Sequence, residues 1–317
     1  MILHILILLA GLLILYYGAE YLVGGSINTS HILGVNPVII GLTVVAFGTS
    51  LPELVVCLVA VYRQSDAIAL GNVVGSNIAN IGLVLAAGAA FFTVNIQRRT
   101  YTRDIPLMIL FSGALMAMSH DGWLGRLDGI VLIGGLVAFT LYCIKTAAPK
   151  EVAVELEALE EETPVGHIGS LPRALAVTAL GIAGVILGAQ LLVDSAIAIA
   201  RALNISELVI GMTIVAVGTS LPELATTVVA AYRKQSDIAV GNVIGSNIFN
   251  AGFVMGATAF ARPIPVSASA LYGEMMVMMA FSLSIIPAAA MGRMNRINGW
   301  IILACYCVFI FWQAGIF

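Results

Sequence analysis

Hydrophobic residues fill most of this 317-residue chain in long runs, and polar residues are largely confined to short breaks between them. A helix of about 20 apolar residues crosses the hydrocarbon core of a bilayer. Read in windows of that length, the pattern predicts ten membrane-spanning helices, at 3–24, 37–61, 67–91, 104–119, 127–145, 172–199, 207–231, 237–260, 268–290 and 297–316. Only 10% of the residues are charged and the mean hydropathy is +1.04, which excludes an ordinary soluble domain. We therefore expect a multi-pass protein of the cell membrane.

A polar segment interrupts this pattern twice. It reads Gly-Leu-Thr-Val-Val-Ala-Phe-Gly-Thr-Ser-Leu-Pro-Glu at 41–53 and Gly-Met-Thr-Ile-Val-Ala-Val-Gly-Thr-Ser-Leu-Pro-Glu at 211–223. A second block, Gly-Asn-Val-Val-Gly-Ser-Asn-Ile-Ala-Asn at 71–80, returns as Gly-Asn-Val-Ile-Gly-Ser-Asn-Ile-Phe-Asn at 241–250. Both blocks align without a gap at an offset of 170 positions, so the chain contains an internal repeat.

Each copy of the repeat holds five predicted spans. An odd number makes the second copy enter the membrane from the opposite side, and inverted repeats of this kind are typical of transporters with a binding site near the midplane. The predicted organisation is a first five-helix repeat at 1–146, a linker at 147–170 and a second, inverted five-helix repeat at 171–317. The linker is rich in glutamate, which favours a solvated segment. A regulatory calcium sensor there is the alternative, but no Asp-x-Asp-x-Asp-Gly loop supports it.

Basic residues are distributed unevenly between the two predicted faces of the membrane. The face that carries the N-terminus has four, at Arg63, Arg126, Arg201 and Arg262. The opposite face has ten, at Arg98, Arg99, Arg103, Lys145, Lys150, Arg173, Arg233, Lys234, Arg293 and Arg296. Because cytoplasmic loops carry the excess of Lys and Arg, we expect the linker to be cytoplasmic and both termini to be outside.

One carboxylate lies at membrane depth in each repeat. Glu53 follows Gly41 by 12 residues, or about 18 Å of helix, which places it near the middle of the bilayer, and Glu223 is its counterpart. A buried carboxylate could be neutralised by Lys or Arg, but neither occurs inside the central spans. The remaining possibilities are a protonated glutamate and a bound cation, and an ionisable group within the membrane is a candidate functional site.

Other oxygen donors accompany the glutamates. Pro52 and Pro222 interrupt the helical hydrogen bonds, so we expect main-chain carbonyls near Ala46, Thr49, Ala216 and Thr219 to become available as ligands. In the third and eighth spans an Asn, a Ser and a second Asn recur every four residues on one helical face. We interpret the first of these, Asn72 and Asn242, as bonds between helices. The others are candidate ligands, namely Ser76, Asn80, Ser246 and Asn250.

The candidate site offers two carboxylates and many neutral oxygens, without histidine or thiolate. This donor set suits a hard cation, and Ca²⁺ takes six to eight oxygen ligands in adaptable geometry. Two carboxylates balance one Ca²⁺, and Na⁺ ions or protons balance them equally well. The pattern therefore leaves Ca²⁺/Na⁺ exchange, Ca²⁺/H⁺ exchange and a cation channel open. It disfavours an enzyme, because no nucleophile–base pair or metal–His motif is present.

The paired Gly-Thr-Ser-Leu-Pro-Glu and Gly-Asn-Val-[Val/Ile]-Gly-Ser-Asn-Ile-x-Asn blocks resemble the two repeats of the calcium/cation antiporter superfamily, in particular its prokaryotic sodium/calcium exchanger branch. The resemblance implies an antiporter with Ca²⁺ and Na⁺ as substrates, no cofactor and no nucleic-acid partner. It also implies that the first and sixth helices slide to switch access. The implied ligands are Glu53, Glu223, Thr49, Thr219, Ser50, Ser220, Ser76, Ser246, Asn80, Asn250 and the carbonyls of Ala46 and Ala216.

One position departs from some members of that superfamily. Potassium-dependent exchangers and certain archaeal relatives carry aspartate where this chain has Asn250. Here both Asn80 and Asn250 are neutral, which leaves two formal negative charges in the site and argues against a potassium requirement. The departure does not decide between Na⁺ and H⁺ as the driving ion.

Overall fold

The computed structural model describes residues 2–146, 165–203, 218–266 and 268–313, and almost all of these residues are helical. The helices are α1 (Ile2–Leu33), α2 (Pro37–Thr49), α3 (Leu51–Tyr62), α4 (Asp66–Phe91), α5 (Ile105–Met118), α6 (Arg126–Lys145), α7 (Leu171–Ala202), α8 (Leu221–Tyr232), α9 (Ser236–Ala261), α10 (Ala268–Ser284), α11 (Ile286–Ala290) and α12 (Arg296–Gln313). The strands are β1 (Val94–Asn95), β2 (Trp123–Leu124), β3 (Ile264–Pro265) and β4 (Arg293–Met294). The predicted all-helical membrane fold is thus confirmed.

The inverted five-helix repeat predicted from the sequence accounts for these helices. Predicted span 37–61 consists of α2 and α3, which meet at a bend of 41°. Helices α4 and α9 begin and end 170 positions apart and are 26 residues long in both repeats. Of predicted span 207–231, only the part from residue 218 lies within the described residues, where it forms α8.

Some predicted boundaries were several residues off. Span 3–24 is a helix that continues to Leu33, because the small and polar residues after Leu22 are buried inside the protein. Span 268–290 is divided into α10 and α11, and Pro287 lies in the first turn of α11, where its missing N–H is tolerated.

Helices α1 and α7 form an antiparallel pair in close backbone contact. A Cβ atom on Gly18 of α1 would lie 2.6 Å from the main-chain nitrogen of Val185, and one on Gly188 of α7 would lie 2.4 Å from that of Leu15. Glycine at such positions lets two membrane helices approach closely. Because each helix presents glycine to the other, α1 and α7 pack as one unit along most of their length.

Two short antiparallel strand pairs connect the repeats. Strand β1 of the first repeat pairs with β4 of the second, and β2 of the first pairs with β3 of the second. The 170-residue offset relates β1 to β3 and β2 to β4, so the internal symmetry exchanges the two pairs. Each strand pair joins two loops that the sequence analysis assigned to the same membrane face. Loop 92–99 contacts 291–295 on one face, and loop 119–125 contacts 262–266 on the other.

Candidate cation-binding site

Each glutamate lies in the first turn of a helix, three residues after a serine with non-helical backbone angles. The chain leaves the helical conformation at Ser50, with φ −86° and ψ 2°, and Glu53 lies in the first turn of α3. The second repeat matches it, with Ser220 at φ −91° and ψ 5° and Glu223 in the first turn of α8. The amino end of a helix carries a partial positive charge. Each carboxylate is therefore held where the helix dipole favours a negative charge.

The two glutamates differ from the other buried carboxylates in having no partner. In the part of the chain that the structure describes, four carboxylates are buried. Glu20 forms an ion pair with Arg233, and Asp104 forms one with Arg103. Glu53 is 1% exposed and Glu223 is 0% exposed, and none of their four carboxyl oxygens accepts a hydrogen bond from a described residue. The candidate site is therefore a pair of uncompensated carboxyl groups, one from each repeat.

Thr49 joins the first repeat to the second beside this pair. Its hydroxyl donates to Asn242 Oδ1 at 3.3 Å and lies 3.5 Å from Ser246 Oγ. Asn242 in turn donates to Thr227 Oγ1 at 3.0 Å and to the main-chain carbonyl of Glu223 at 3.4 Å. Asn72, its counterpart, donates to the Cys57 sulfur at 3.4 Å. The interpretation of Asn72 and Asn242 as bonds between helices is confirmed.

Serine hydroxyls without partners lie next to the helix breaks. Ser50 and Ser220 are both buried, and neither hydroxyl has a hydrogen-bonding partner among the residues that the structure describes. Ser76 is 4% exposed, and Thr219 is only partly buried. Buried hydroxyls normally find a partner, so Ser50 and Ser220 are available to a ligand.

The expectation that the Ala46 carbonyl is released from the helix was wrong. It accepts the Ser50 N–H at 3.1 Å and lies 3.5 Å from the Thr49 hydroxyl. The helix ends three residues after Ala46, so its last turn still closes on this carbonyl. A carbonyl oxygen has a second lone pair, so the bond from Ser50 does not by itself exclude Ala46 as a ligand. The corresponding Ala216 lies outside the described residues.

Asn80 and Asn250 each begin a π-helical segment, Asn80–Leu85 in α4 and Asn250–Val254 in α9. Such segments occur frequently at functional sites. The first packs against α8, which carries Glu223, and the second packs against α3, which carries Glu53. Asn80 Oδ1 and both polar atoms of the Asn250 amide are buried without a partner. Each repeat therefore packs the segment that begins with its asparagine against the helix that carries the glutamate of the other repeat.

Sequence reasoning missed two buried polar groups. Asn77 and Asn247 belong to the repeated block but lie one residue away from the Asn-Ser-Asn face, and they bond to each other across the repeats. Glu20 lies within the first predicted span, and its carboxylate is held by Arg233 at 2.8 Å and by the Tyr16 hydroxyl, also at 2.8 Å. A carboxylate in an apolar helix needs a partner. The presence of Glu20 in the first predicted span therefore indicated that a neutralising side chain packs against this helix.

The donor set is suited to a hard cation. Among the described residues no group of three or more His, Cys, Asp or Glu could hold a metal ion, so the site consists of two carboxylates supplemented by neutral oxygens. Such oxygens suit Ca²⁺, Mg²⁺ and similar cations, whereas thiolate and imidazole ligands suit zinc and copper.

Comparison with known proteins identifies the family. The model of the family described as sodium/calcium exchanger protein matches residues 3–145 and again residues 173–315. The chain belongs to the sodium/calcium exchanger family. It is therefore an integral membrane antiporter and not an enzyme, in agreement with the prediction.

Several members of this family are similar to the chain over nearly its whole length. The putative antiporter CaxA of Alkalimonas amylolytica is 35% identical, covering 96% of this chain and 97% of its own. The sodium/calcium exchanger MaX1 of Methanosarcina acetivorans is 32% identical, covering 97% of each. Among solved structures, the sodium–calcium exchanger NCX_Mj soaked with Na⁺ and Ca²⁺ superimposes with a TM-score of 0.84 at 34% identity and 98% coverage of both chains.

Proposed function

We propose that this member of the sodium/calcium exchanger family exchanges Ca²⁺ for Na⁺ across the membrane by alternating access, with Glu53 and Glu223 as the central ligands. The observation that carries the proposal is the pair of buried carboxyl groups without a partner. Two carboxylates carry two negative charges, which one Ca²⁺ neutralises. Because an uncompensated charge in the membrane is costly, the site would have to be reloaded with cations each time Ca²⁺ leaves, which couples the two fluxes.

Neutral oxygens around the glutamates support Na⁺ as the counter-ion. The proposed ligands are Thr49, Ser50, Ser76, Asn80, Thr219, Ser220, Ser246, Asn250 and the carbonyls of Ala46 and Ala216. A proton binds to a single carboxyl oxygen and needs no such cage, whereas Na⁺ needs several oxygens. The unpartnered hydroxyls of Ser50 and Ser220 are therefore expected in a site that binds Na⁺ and not in one that only titrates.

The arrangement of α1 and α7 supports alternating access. The pair packs tightly within itself, and the outward sides of both helices are exposed and apolar. Helix α1 also packs against α8, whereas α7 makes little contact with α3, the helix that the internal symmetry relates to α8. A pair that contacts two symmetry-related helices of the protein unequally is suited to moving as a body between two arrangements.

Flux in proteoliposomes tests the proposal. With the membrane potential clamped and the pH equal on both sides, we expect an outward-directed Na⁺ gradient to drive uptake of ⁴⁵Ca²⁺. In a separate assay at equal Na⁺ on both sides, an imposed proton gradient should have little effect. Uptake that follows the proton gradient and ignores Na⁺ would establish Ca²⁺/H⁺ exchange. Uptake without counterflow, at a rate that does not saturate and follows the Ca²⁺ gradient alone, would indicate a channel.

A further inference from the structure

A pair of asparagines crosses between the repeats at the centre of the protein. Asn77 Nδ2 donates to the main-chain carbonyl of Asn247 at 3.3 Å, and Asn247 Nδ2 donates to that of Asn77 at 3.2 Å. Each amide nitrogen also contacts a methionine sulfur, Met278 for the first and Met108 for the second. The two amide nitrogens are therefore in equivalent environments. In each side chain the remaining polar atom is Oδ1, which can accept a hydrogen bond.

The two Oδ1 atoms are used differently. Asn247 Oδ1 accepts a hydrogen bond from Asn80 Nδ2 at 3.0 Å. The symmetry-related bond would run from Asn250 Nδ2 to Asn77 Oδ1, but both of those atoms are buried without a partner. Asn80 is thus held by the pair and Asn250 is not.

Holding the nitrogen of an amide fixes the direction of its oxygen. Asn80 Nδ2 is tied to Asn247, so Asn80 Oδ1 faces away from that bond, where it is buried and unpartnered in the segment that packs on the helix of Glu223. An amide that rotated by half a turn would present its NH₂ group instead, and an NH₂ group repels a cation. Groups that orient metal ligands in this way commonly change metal affinity by 10- to 100-fold.

We propose that Asn247 is a positioning residue that fixes Asn80 as an oxygen donor to the transported cation. The proposal rests on the cation site proposed above and assigns the orientation of one of its ligands to a residue that does not itself bind the ion. Asn77 is the internal control, because it makes the same main-chain and sulfur contacts but holds no ligand.

The test compares Asn247→Leu with Asn77→Leu in proteoliposomes. We expect Asn247→Leu to raise the KM for Ca²⁺ about 10-fold with less than a twofold change in maximal rate, and Asn77→Leu to leave KM within about twofold. Asn247→Asp keeps an acceptor for Asn80, so its KM for Ca²⁺ should be lower than that of Asn247→Leu. Asn77→Asp adds the same charge at the matched position, and the decrease in KM should exceed any decrease that this variant shows. Equal KM values for the two leucine variants would overturn the proposal, as would an effect of Asn247→Leu on maximal rate alone. If a leucine variant does not fold, Asn247→Ala and Asn77→Ala provide the same comparison.

Binding of ⁴⁵Ca²⁺ to the detergent-purified protein distinguishes failure of the proposed function from failure of the positioning role of Asn247. Wild-type protein that binds Ca²⁺ but does not exchange it for Na⁺ contradicts the proposed function and leaves the comparison of affinities valid. Equal affinities of Asn247→Leu and Asn77→Leu, in a protein that does exchange, contradict the positioning role alone. A 10-fold weaker affinity confined to Asn247→Leu supports it.

Discussion

A carboxylate buried in a membrane helix is neutralised by a basic side chain, a proton or a bound cation. The structure contains both structural and candidate functional examples, since Glu20 and Asp104 have arginine partners while Glu53 and Glu223 do not. The presence of a partner therefore distinguishes the two kinds of carboxylate more clearly than burial does.

Glu53→Gln and Glu223→Gln should each abolish Ca²⁺ uptake and leave the protein folded. Glutamine has the shape of glutamate without its charge, so each variant removes half of the charge that balances Ca²⁺ and also removes a desolvated, unpaired group. We expect the melting temperature without ions to stay the same or rise, and stabilisation by added Ca²⁺ to be lost.

Glu274→Gln is the matched control for these variants, because Glu274 is only partly buried and accepts a hydrogen bond from Gln313. It should transport Ca²⁺ normally. Near-normal exchange by either Glu53→Gln or Glu223→Gln would rule out the two-carboxylate site.

The Glu20–Arg233 pair predicts unequal effects of removing its two members. Glu20 is 2% exposed, whereas the Arg233 side chain is 26% exposed and remains hydrated. Arg233→Gln leaves a buried carboxylate without its cation, which costs about 3 kcal/mol or more. Glu20→Gln leaves only a partly hydrated arginine. Thermal melting should therefore rank Arg233→Gln as the less stable variant, with the double variant close to Glu20→Gln, and the reverse order would contradict this account.

At the scale of single residues, the sequence predicts only part of the candidate cation-binding site and its surroundings. The two glutamates and their Ser, Thr and Asn neighbours stand out because they are repeated without a gap. The hydrogen bonds between Asn77 and Asn247 could not be predicted in the same way, since a residue one step from a polar helical face is ordinarily assigned to packing. The partner of Glu20 is 213 positions away, and no local pattern connects the two.

At the scale of helices, hydropathy predicts where the membrane spans lie but not where a helix is broken or changes to π-helical geometry. The break at Ser50 follows from Pro52, which has no N–H to donate, and was predictable. The π-helical segments at Asn80 and Asn250 were not, because an extra residue in a helical turn depends on the packing of neighbouring helices. The polar end of α1 was also missed, because its burial depends on contact with α7.

Gly188→Val tests the close contact of α1 with α7. A Cβ atom there would lie 2.4 Å from the Leu15 nitrogen, which is main chain and cannot rotate away. We expect a strongly lowered melting temperature and no transport. Gly134→Ala in α6 is the control, because Gly134 is exposed and a Cβ atom added to it would have no atom of the described residues within 4 Å. Alanine should raise helix stability slightly at that position, and unchanged melting of Gly188→Val would show that the two helices are not in close contact.

At the scale of the whole molecule, the structure groups the loops into two faces, and the orientation of those faces in the membrane remains a prediction. It rests on ten Lys and Arg residues on one face against four on the other. In a variant without native cysteines, Glu157→Cys should react with a membrane-impermeant maleimide only after the cells are opened. His120→Cys, on the opposite face, should react in intact cells. The opposite result would invert the orientation.

The exchanged strand pairs have a consequence for how the chain is held together. The two repeats form a strand pair with each other at both membrane faces, and α1 of the first repeat packs along α7 of the second. We therefore expect the repeats to stay in register when one peptide bond between residues 147 and 164 is cut. A protein cleaved once in that interval still has every one of these contacts, so the two fragments, 1–146 with part of the linker and the remainder, have what they need to associate as separate subunits.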